Sequence, residues 1–278
     1  MHEHVVGTVS PRLAPFVASV HGYRLEGFPA GTHVGLPSRS LTVVISLSDP
    51  LVVSGPGESA PATLGSLVAG LHDRPALIHH DGNQHGIQLA LTPRGARALF
   101  GVPPRELACR VVDLEDLLGP DGAALSERLL VLRTWAERLA VVASLLEGRL
   151  EGADGSAQPQ VAPELVEAWR VLSRRHGAVR IARVADRVGW STRHLGERFH
   201  EEFGLGPKTA ARVMRFERSS RLVRPGRSVA EVAATCGYAD QAHLTREWRA
   251  IAGVTPARWL VDDVLANLQD DEADVATG

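Results

Sequence analysis

The last third of the chain contains two copies of one short pattern. The first copy, 181–207, reads IARVADRVGWSTRHLGERFHEEFGLGP, and the second, 229–256, reads VAEVAATCGYADQAHLTREWRAIAGVTP. The aligned positions, with one residue inserted in the second copy, are Gly189 with Gly237, Trp190 with Tyr238, His194 with His243, Leu195 with Leu244, Phe199 with Trp248, Gly204 with Gly253 and Pro207 with Pro256. A helix, a glycine-containing turn and a second helix, present twice, predict paired helix-turn-helix units. Such units place helices in DNA major grooves.

Basic side chains are concentrated in the segment that holds this repeat. The whole chain has a formal net charge of −2. Residues 161–262 hold 18 Lys/Arg against 11 Asp/Glu, a net of +7, whereas 1–160 hold 12 against 16, and 263–278 hold five acids and no basic residue. A local positive field favours a polyanionic partner. A solvated, arginine-rich helical surface is the alternative, and the repeat favours DNA over it.

Composition and periodicity predict a multidomain α+β chain. Short apolar runs at 41–47, 66–72, 75–80 and 84–91 are separated by turn residues, which is typical of a sandwich or small barrel. Helical patterns follow at 93–100 and 123–150, and EGADGSAQPQ has the composition of a linker. The predicted organisation is a β-rich sensor or dimerisation domain ending in helices (1–152), a linker (153–162), an all-α DNA-binding domain (163–262) and an acidic tail (263–278).

The totals also bound the class of protein. No uninterrupted apolar run reaches about 18 residues, and MHEHVVGTVSPRL lacks the pattern of a secretory signal. Cys109 and Cys236 are the only cysteines, which fits a reducing cytosol better than a disulfide framework. We therefore expect a cytoplasmic protein without a membrane partner.

The first unit offers a set of candidate DNA contacts. Ala182, Val184, Ala185 and Val188 are predicted to bury its first helix, and Leu195 and Phe199 its second. Ser191 is a good N-cap for the second helix. Arg193 can make a bidentate contact with guanine, and Glu197 can accept from cytosine N4. The predicted DNA-binding residues here are Ser191, Thr192, Arg193, Glu197 and His200, each able to meet a base, a phosphate or solvent.

The second unit repeats this arrangement. Asp240 or Ala239 is predicted to open its second helix, with Leu244 and Trp248 buried. Gln241 can pair with adenine, Ala242 can touch a thymine methyl, and Arg249 is better placed for phosphate. The predicted DNA-binding residues are Gln241, Ala242, His243, Thr245, Arg246 and Arg249. Between the units, the pattern of residues 207–223 predicts one helix. Its buried face is predicted to consist of Val213, Phe216, Ser220 and Leu222 or Val223. A rod of about 24 Å, with the width of each unit, would hold the reading helices about one DNA turn apart.

These segments resemble a known family. VADRVGWSTRHLGERFHEEFGLGPK, RFERSSRLV and VAEVAATCGYADQAHLTREWRAIAGVTPARW are similar to the DNA-binding domain of AraC/XylS bacterial transcriptional regulators over 163–260. The resemblance implies a seven-helix domain, control of transcription at a promoter, and contact with RNA polymerase in members that activate. It also implies a cupin-like N-terminal barrel that binds an unknown small-molecule effector, forms a homodimer, or does both. The chain departs from the family at Gly196-Glu197, where a polar or basic pair is common.

Histidines in the N-terminal part suggest two further interpretations. His72, His79, His80, Asp81 and His85 fall within 14 residues and are potential metal ligands. If 75–80 and 84–91 pair as a hairpin, His79 and His85 lie on neighbouring strands. A cupin metal site, however, has an H-x-H pair on one face of a strand. The adjacent His79 and His80 would instead point to opposite faces. We therefore predict a polar turn or pocket rim and no metal or other cofactor.

The helical pattern at 123–150 leaves two interpretations open. Its apolar positions recur at three- and four-residue steps, either as a dimer helix or as packing against the barrel. They are Leu125, Leu129, Leu132, Trp135, Leu139, Val142 and Leu146.

Other functions compete with an effector-responsive transcription regulator. A cupin-type metalloenzyme with an appended DNA-binding module is one, although no G-x-S-x-G, P-loop or H-E-x-x-H pattern is present. A repair protein that accepts methyl groups would need a zinc-held cysteine. An effector-independent DNA binder would ignore metabolites. We expect a regulator and not an enzyme.

Overall fold

Strands fill the first part of the chain and helices fill the rest. The computed structural model describes residues 2–58, 60–153 and 161–262. Its strands are β1 (His2–Val6), β2 (Val17–Leu25), β3 (Gly31–Gly35), β4 (Leu41–Ser46), β5 (Leu51–Ser54), β6 (Ala62–Leu64), β7 (Ser66–Ala69), β8 (Ala76–His80), β9 (Gln84–Leu91) and β10 (Val111–Asp113). Its N-terminal helices are α1 (Pro93–Phe100), α2 (Pro104–Leu107), α3 (Leu114–Leu118), α4 (Pro120–Val131) and α5 (Trp135–Ala153). The C-terminal helices are α6 (Pro163–Arg174), α7 (Ile181–Arg187), α8 (Thr192–Phe203), α9 (Pro207–Leu222), α10 (Val229–Cys236), α11 (Gln241–Ala252) and α12 (Pro256–Asp262).

Two antiparallel sheets form the N-terminal domain. One has the strand order β1-β2-β9-β4-β7-β10 and the other β3-β8-β5-β6. Alternation along β4 shows how the first sheet is used, because Leu41, Val43 and Ile45 are buried in the cluster that contains the helices. Thr42 and Val44 instead line a cavity that both sheets enclose. The predicted fold class, a β-rich domain followed by an all-α domain, is confirmed.

The hairpin considered for 75–80 and 84–91 does not form. β8 pairs with β3 and β5, whereas β9 pairs with β2 and β4 in the other sheet. The turn between them therefore carries the chain from one sheet to the other. Asp81 stabilises that turn by accepting from the backbone N of Asn83 at 2.8 Å.

The single helix predicted for 123–150 is in fact two helices. α4 ends at Val131, and Leu132 is extended with ψ 147°. The break brings Trp135 onto β2 beside Gly22, where any Cβ would lie 2.4 Å from the indole Cε3. The Trp135 Nε1 donates to Glu3 at 3.2 Å. Apolar periodicity does not reveal this break. Its local signal is a capping box at the start of α5, in which Glu137 accepts from the Thr134 backbone N at 3.1 Å and Thr134 Oγ1 accepts from the Glu137 backbone N at 3.3 Å.

The apolar residues of these two helices pack into the core of the N-terminal domain. Leu125, Leu129, Val142 and Leu146 are buried, and Leu132, Trp135 and Leu139 pack against the same cluster. Core packing therefore accounts for the whole stripe, and a dimer role for it stays a prediction. No helix in the described ranges is both long and apolar enough to cross a membrane.

The C-terminal domain consists of seven helices, α6–α12, within residues 161–262. That number is the one the AraC/XylS resemblance implies. Of the four residues predicted to bury α7, Val184 and Ala185 are buried and Val188 half-buried, but Ala182 is exposed, because the helix has only seven residues and packs on one narrow face. Most of the predicted linker and the acidic tail lie outside the described residues, so the domain boundaries stay predictions.

Candidate nucleic-acid interface and interdomain cavity

The two helix-turn-helix units have the same buried anchors. Leu195 and Phe199 of α8, and Leu244 and Trp248 of α11, have no measurable exposure. Pro207 and Pro256 begin the helix that follows each unit. The sequence repeat is therefore a structural repeat, with one apolar face of each reading helix directed into the core.

Each turn is made by a glycine and closed by an N-cap. Gly189 and Gly237 have φ of 74° and 75°, a left-handed conformation that disfavours other residues. The Ser191 side chain accepts from the backbone N of His194 at 3.2 Å, and Asp240 accepts from that of His243 at 2.6 Å. Both N-cap predictions are confirmed, with Asp240 rather than Ala239 opening α11.

A histidine packs against the turn aromatic in each unit. The rings of Trp190 and His194 lie 4.7 Å apart, and those of Tyr238 and His243 lie 5.3 Å apart, both edge-on. His243 Nδ1 also accepts from the backbone N of Ala239 at 3.3 Å. These contacts give His243 a structural role at the start of α11, beside its predicted role at DNA.

The predicted DNA-binding residues of the first unit all lie on its exposed side. These are Ser191, Thr192, Arg193, Glu197 and His200. Arg193 Nε donates to Glu197 Oε1 at 2.9 Å, and the hydrogen bond from Arg193 to this carboxylate raises the pKa of the guanidinium. In the free protein Glu197 is therefore already paired with Arg193. The sequence analysis assigned Glu197 to a base and did not predict this ion pair.

The predicted residues of the second unit surround a shallow depression. Gln241, Ala242, Thr245, Arg246 and Arg249 line it. Thr245 is half-buried and its hydroxyl donates to the carbonyl of Gln241 at 2.9 Å. The helix itself uses the donor of this hydroxyl, so Thr245 can offer a base its methyl group or its oxygen as an acceptor.

α9 joins the two units and is fixed to α11 by polar contacts. Trp248 Nε1 donates to Ser219 Oγ at 2.8 Å inside the core. Arg212 Nε donates to Glu247 Oε2 at 2.9 Å, and both side chains are largely buried. The sequence predicted the helix that joins the two units but not this ion pair. Its two residues lie on different helices, so helical spacing gives no signal for it.

The N-terminal domain holds the far end of the first reading helix. Arg97 of α1 makes two hydrogen bonds to Glu202 of α8, at 2.8 and 2.7 Å, with side chains only 19% and 10% exposed. Arg105 donates to the carbonyl of Glu201 at 3.0 Å. These contacts lie at the C-terminal end of α8, so they leave the predicted reading residues at its other end uncovered.

A cavity of about 330 Å³ lies between the two sheets and is closed by the DNA-binding domain. Its apolar wall comes from the four-stranded sheet and includes Leu51, Val53, Ala76 and Ile78. The end of the cavity that the DNA-binding domain closes, called the mouth, includes Glu217, Ser220 and Arg221 of α9 and Trp259 of α12. Glu217 accepts from Arg221 Nη2 at 2.9 Å and lies 3.3 Å from Arg39 Nε of the N-terminal domain.

Three histidines line this cavity in their neutral form. Burial lowers the pKa of His21 and of His33 to about 4, with His4 and His80 respectively adding to the effect. Burial also lowers the pKa of His72. His72 Nδ1 lies 2.5 Å from the carbonyl oxygen of Arg74, which makes it a donor, and Gln84 Nε2 donates to His33 Nδ1 at 3.3 Å.

The histidines considered as metal ligands are dispersed. His72 lines the cavity, His79 Nδ1 lies 2.9 Å from Thr32 Oγ1, and His85 packs against Trp135. Asp81 bonds within its own turn. Among the residues that the structure describes, no three potential ligands gather around one point.

Comparison with known proteins agrees with this architecture. Residues 184–261 match the model of a helix-turn-helix domain. The HTH-type transcriptional regulator Rv1931c of Mycobacterium tuberculosis is 27% identical over 141 residues, 50% of this chain and 50% of that protein. The chain thus spans about half the length of this curated relative.

Solved structures match nearly the whole chain. ToxT from Vibrio cholerae aligns over 87% of this chain and 97% of its own, with 14% identity and a TM-score of 0.52. A second ToxT structure, bound to (E)-4-(8-methylnaphthalen-1-yl)but-3-enoic acid, aligns over 93% and 98% with 13% identity and a TM-score of 0.50. The C-terminal part of the chain therefore contains a helix-turn-helix domain, and the chain as a whole has a fold similar to that of ToxT.

Proposed function

We propose that the chain is a sequence-specific DNA-binding transcription regulator whose activity responds to a small molecule held in the interdomain cavity. One observation carries the proposal. Two capped reading helices, α8 and α11, expose their N-terminal side chains while their apolar faces are buried and the N-terminal domain contacts other surfaces. This arrangement suits contacts between the exposed side chains and DNA bases. A plain helical bundle would not require it.

Charge and spacing support DNA as the partner. The segment 161–262 has a net charge of +7, although the chain as a whole has −2. α9 has 16 residues and is therefore about 24 Å long. With the width of the two units, it suits two reading helices about one DNA turn apart. A single chain would then contact two successive major-groove segments.

The cavity supports control by an effector. Its wall belongs to the N-terminal sheets, whereas part of its mouth belongs to α9 and α12 of the DNA-binding domain. A bound molecule would therefore touch the rod that sets the separation of the reading helices. Any difference in its affinity for two arrangements of that rod shifts the equilibrium between them. ToxT, which has a similar fold, binds a small organic acid, and this supports the proposal.

The remaining parts of the proposal are finer. We propose the division into 1–152, 153–162, 163–262 and 263–278, a cytoplasmic location on chromosomal DNA, and no catalytic role. Contact with RNA polymerase and homodimer formation are proposed on the AraC/XylS resemblance.

Selection of genomic DNA fragments by the full chain tests the regulator. The purified protein should enrich a small set of fragments that share one motif with two segments about one helical turn apart. A matched selection with the Gln241→Ala/Arg246→Ala double variant should lose the motif while it keeps weak, salt-sensitive binding. Enrichment without a shared motif, or no enrichment, would refute sequence-specific regulation.

A further inference from the structure

We infer that the interdomain cavity takes an uncharged ligand that is mostly apolar and carries one or two hydrogen-bonding groups, which bind a polar strip on β2 and β9. This inference rests on the proposed function, since it names the chemical class of the effector. It is carried by three features of the cavity: an unsatisfied polar strip, an apolar opposite wall, and charges that are confined to the mouth.

The polar strip consists of His21, Tyr23 and Gln88. In the antiparallel register His21 lies opposite Gln88, and Tyr23 lies opposite Gly86. Gly86 makes room for the phenol, because a Cβ there would lie 2.8 Å from the Tyr23 hydroxyl. All three side chains line the cavity, so they form one continuous patch on its wall.

The polar strip has unused hydrogen-bonding capacity. Tyr23 is 5% exposed and His21 8% exposed. Among residues 2–58, 60–153 and 161–262, His21 Nδ1 is buried without a hydrogen-bond partner, and the Tyr23 hydroxyl and the Gln88 amide line the cavity beside it. Buried polar groups are costly when unsatisfied, so a molecule that bonds to them gains affinity.

The opposite wall is mostly apolar, with His33 of β3 as its polar exception. Leu51 and Val53 of β5, and Ala76 and Ile78 of β8, face the cavity from the four-stranded sheet. A ligand that fills about 330 Å³ therefore presents most of its surface to aliphatic side chains. One edge of the ligand must therefore be polar and the rest of its surface apolar.

Charged groups of the lining lie only at the mouth. Within the described residues, the charged side chains that line the cavity are Arg39, Glu217 and Arg221. Glu217 already accepts from Arg221 and pairs with Arg39. Burial keeps His21 neutral by lowering its pKa to about 4, and it raises the pKa of Tyr23, so the strip carries no charge at neutral pH. A carboxylate placed at the strip would be buried without a cation, which strongly disfavours it.

Two isosteric probes test this assignment. Isothermal titration calorimetry at pH 7 would compare 2-naphthamide with 2-naphthoate on the full chain. We expect the amide to bind at least about 10-fold more tightly, because only the carboxylate loses solvation of a charge. Tyr23→Phe and Gln88→Leu should each weaken binding of the amide by about 5-fold, and Arg128→Gln, an exposed position on α4 outside the cavity, should change it less than about 2-fold. Circular dichroism would check that each variant is folded.

The contrary outcomes are distinct. Equal or tighter binding of the naphthoate, lost in Arg39→Gln, would move the ligand to an anion site at the mouth and overturn the inference. Binding of neither probe would overturn it as well, since both fit the size and polarity assigned to the cavity. The regulator proposal is judged separately, by DNA selection with ligand-free protein, so failure of one is not failure of the other.

Discussion

At the scale of single residues, the exposed arginines of the reading helices carry the clearest prediction. Arg193 and Arg246 lie on exposed faces near the starts of α8 and α11. We expect Arg193→Ala and Arg246→Ala each to weaken binding to the selected DNA by about 1–3 kcal/mol, the range for loss of a bidentate base contact. Arg128→Ala, an exposed arginine of α4, is the matched control and should leave affinity unchanged. Equal affinity of all three variants in fluorescence anisotropy would remove these base-contact assignments.

His21 predicts a pH dependence of stability. Its pKa falls from 6.5 to about 4 on folding, chiefly because of burial. The unfolded chain therefore binds the proton more readily between pH 6.5 and 4, and stability falls as the pH is lowered through that window. Between pH 7 and 5 this one group should cost about 2 kcal/mol.

Comparison of variants isolates that contribution. His21→Gln should flatten the fall in the free energy of unfolding between pH 7 and 5, measured by urea denaturation, by about 2 kcal/mol. Gln241→Ala, on the exposed face of α11, removes no titratable group and should leave the slope as it is. An identical slope for His21→Gln and the unaltered protein would show that His21 does not titrate in this way.

At the scale of elements, the N-cap of α11 is open to a clean test. Asp240 accepts from the backbone N of His243 and satisfies a donor that the helix leaves free. Asp240→Ala should lower the free energy of unfolding by about 1 kcal/mol, whereas Asp240→Asn, an equally good cap, should change it by only a few tenths. Thermal unfolding without DNA measures both. A loss of the same size in the two variants would mean that charge, and not capping, is what Asp240 contributes.

Local signals predicted elements well and long-range pairing poorly. The turn glycines, the caps and the buried anchors of α8 and α11 follow from spacing within a few residues, and the structure has them where the repeat places them. The pairing of β8 with β3 depends on residues far apart in sequence, so the hairpin considered for 75–80 and 84–91 does not form. The break before Trp135 does have a local signal, the Thr134–Glu137 capping box, although apolar periodicity does not show it.

At the scale of the whole molecule, the contacts between domains were the part that sequence reasoning missed. The repeat and the positive segment identify the DNA-binding surface. The Arg97–Glu202 ion pair, by contrast, joins one residue of the N-terminal domain to one of the DNA-binding domain. The mouth of the cavity likewise combines residues of both domains. Arginines and glutamates are common on surfaces, so no spacing singles these out. The same contacts explain how the N-terminal domain touches both the first reading helix and the rod without covering the residues predicted to meet DNA.

The DNA-binding domain should nevertheless fold and bind alone. Residues 161–262 contain helices α6–α12 and aromatic contacts within the domain, with the ring centroids of Trp169 and Phe203 4.6 Å apart and those of Phe216 and Trp248 5.0 Å apart. We expect this fragment to be helical by circular dichroism. Its affinity for the selected DNA should fall steeply between about 50 and 200 mM salt, because arginines that bind phosphates release cations condensed on the DNA. Arg249→Ala should lower the slope of log affinity against log salt by about 1, since it is predicted to contact phosphate rather than a base. A helical fragment that ignores salt would contradict the electrostatic argument, whereas an unfolded one would show that Arg97 and its neighbours are needed for folding.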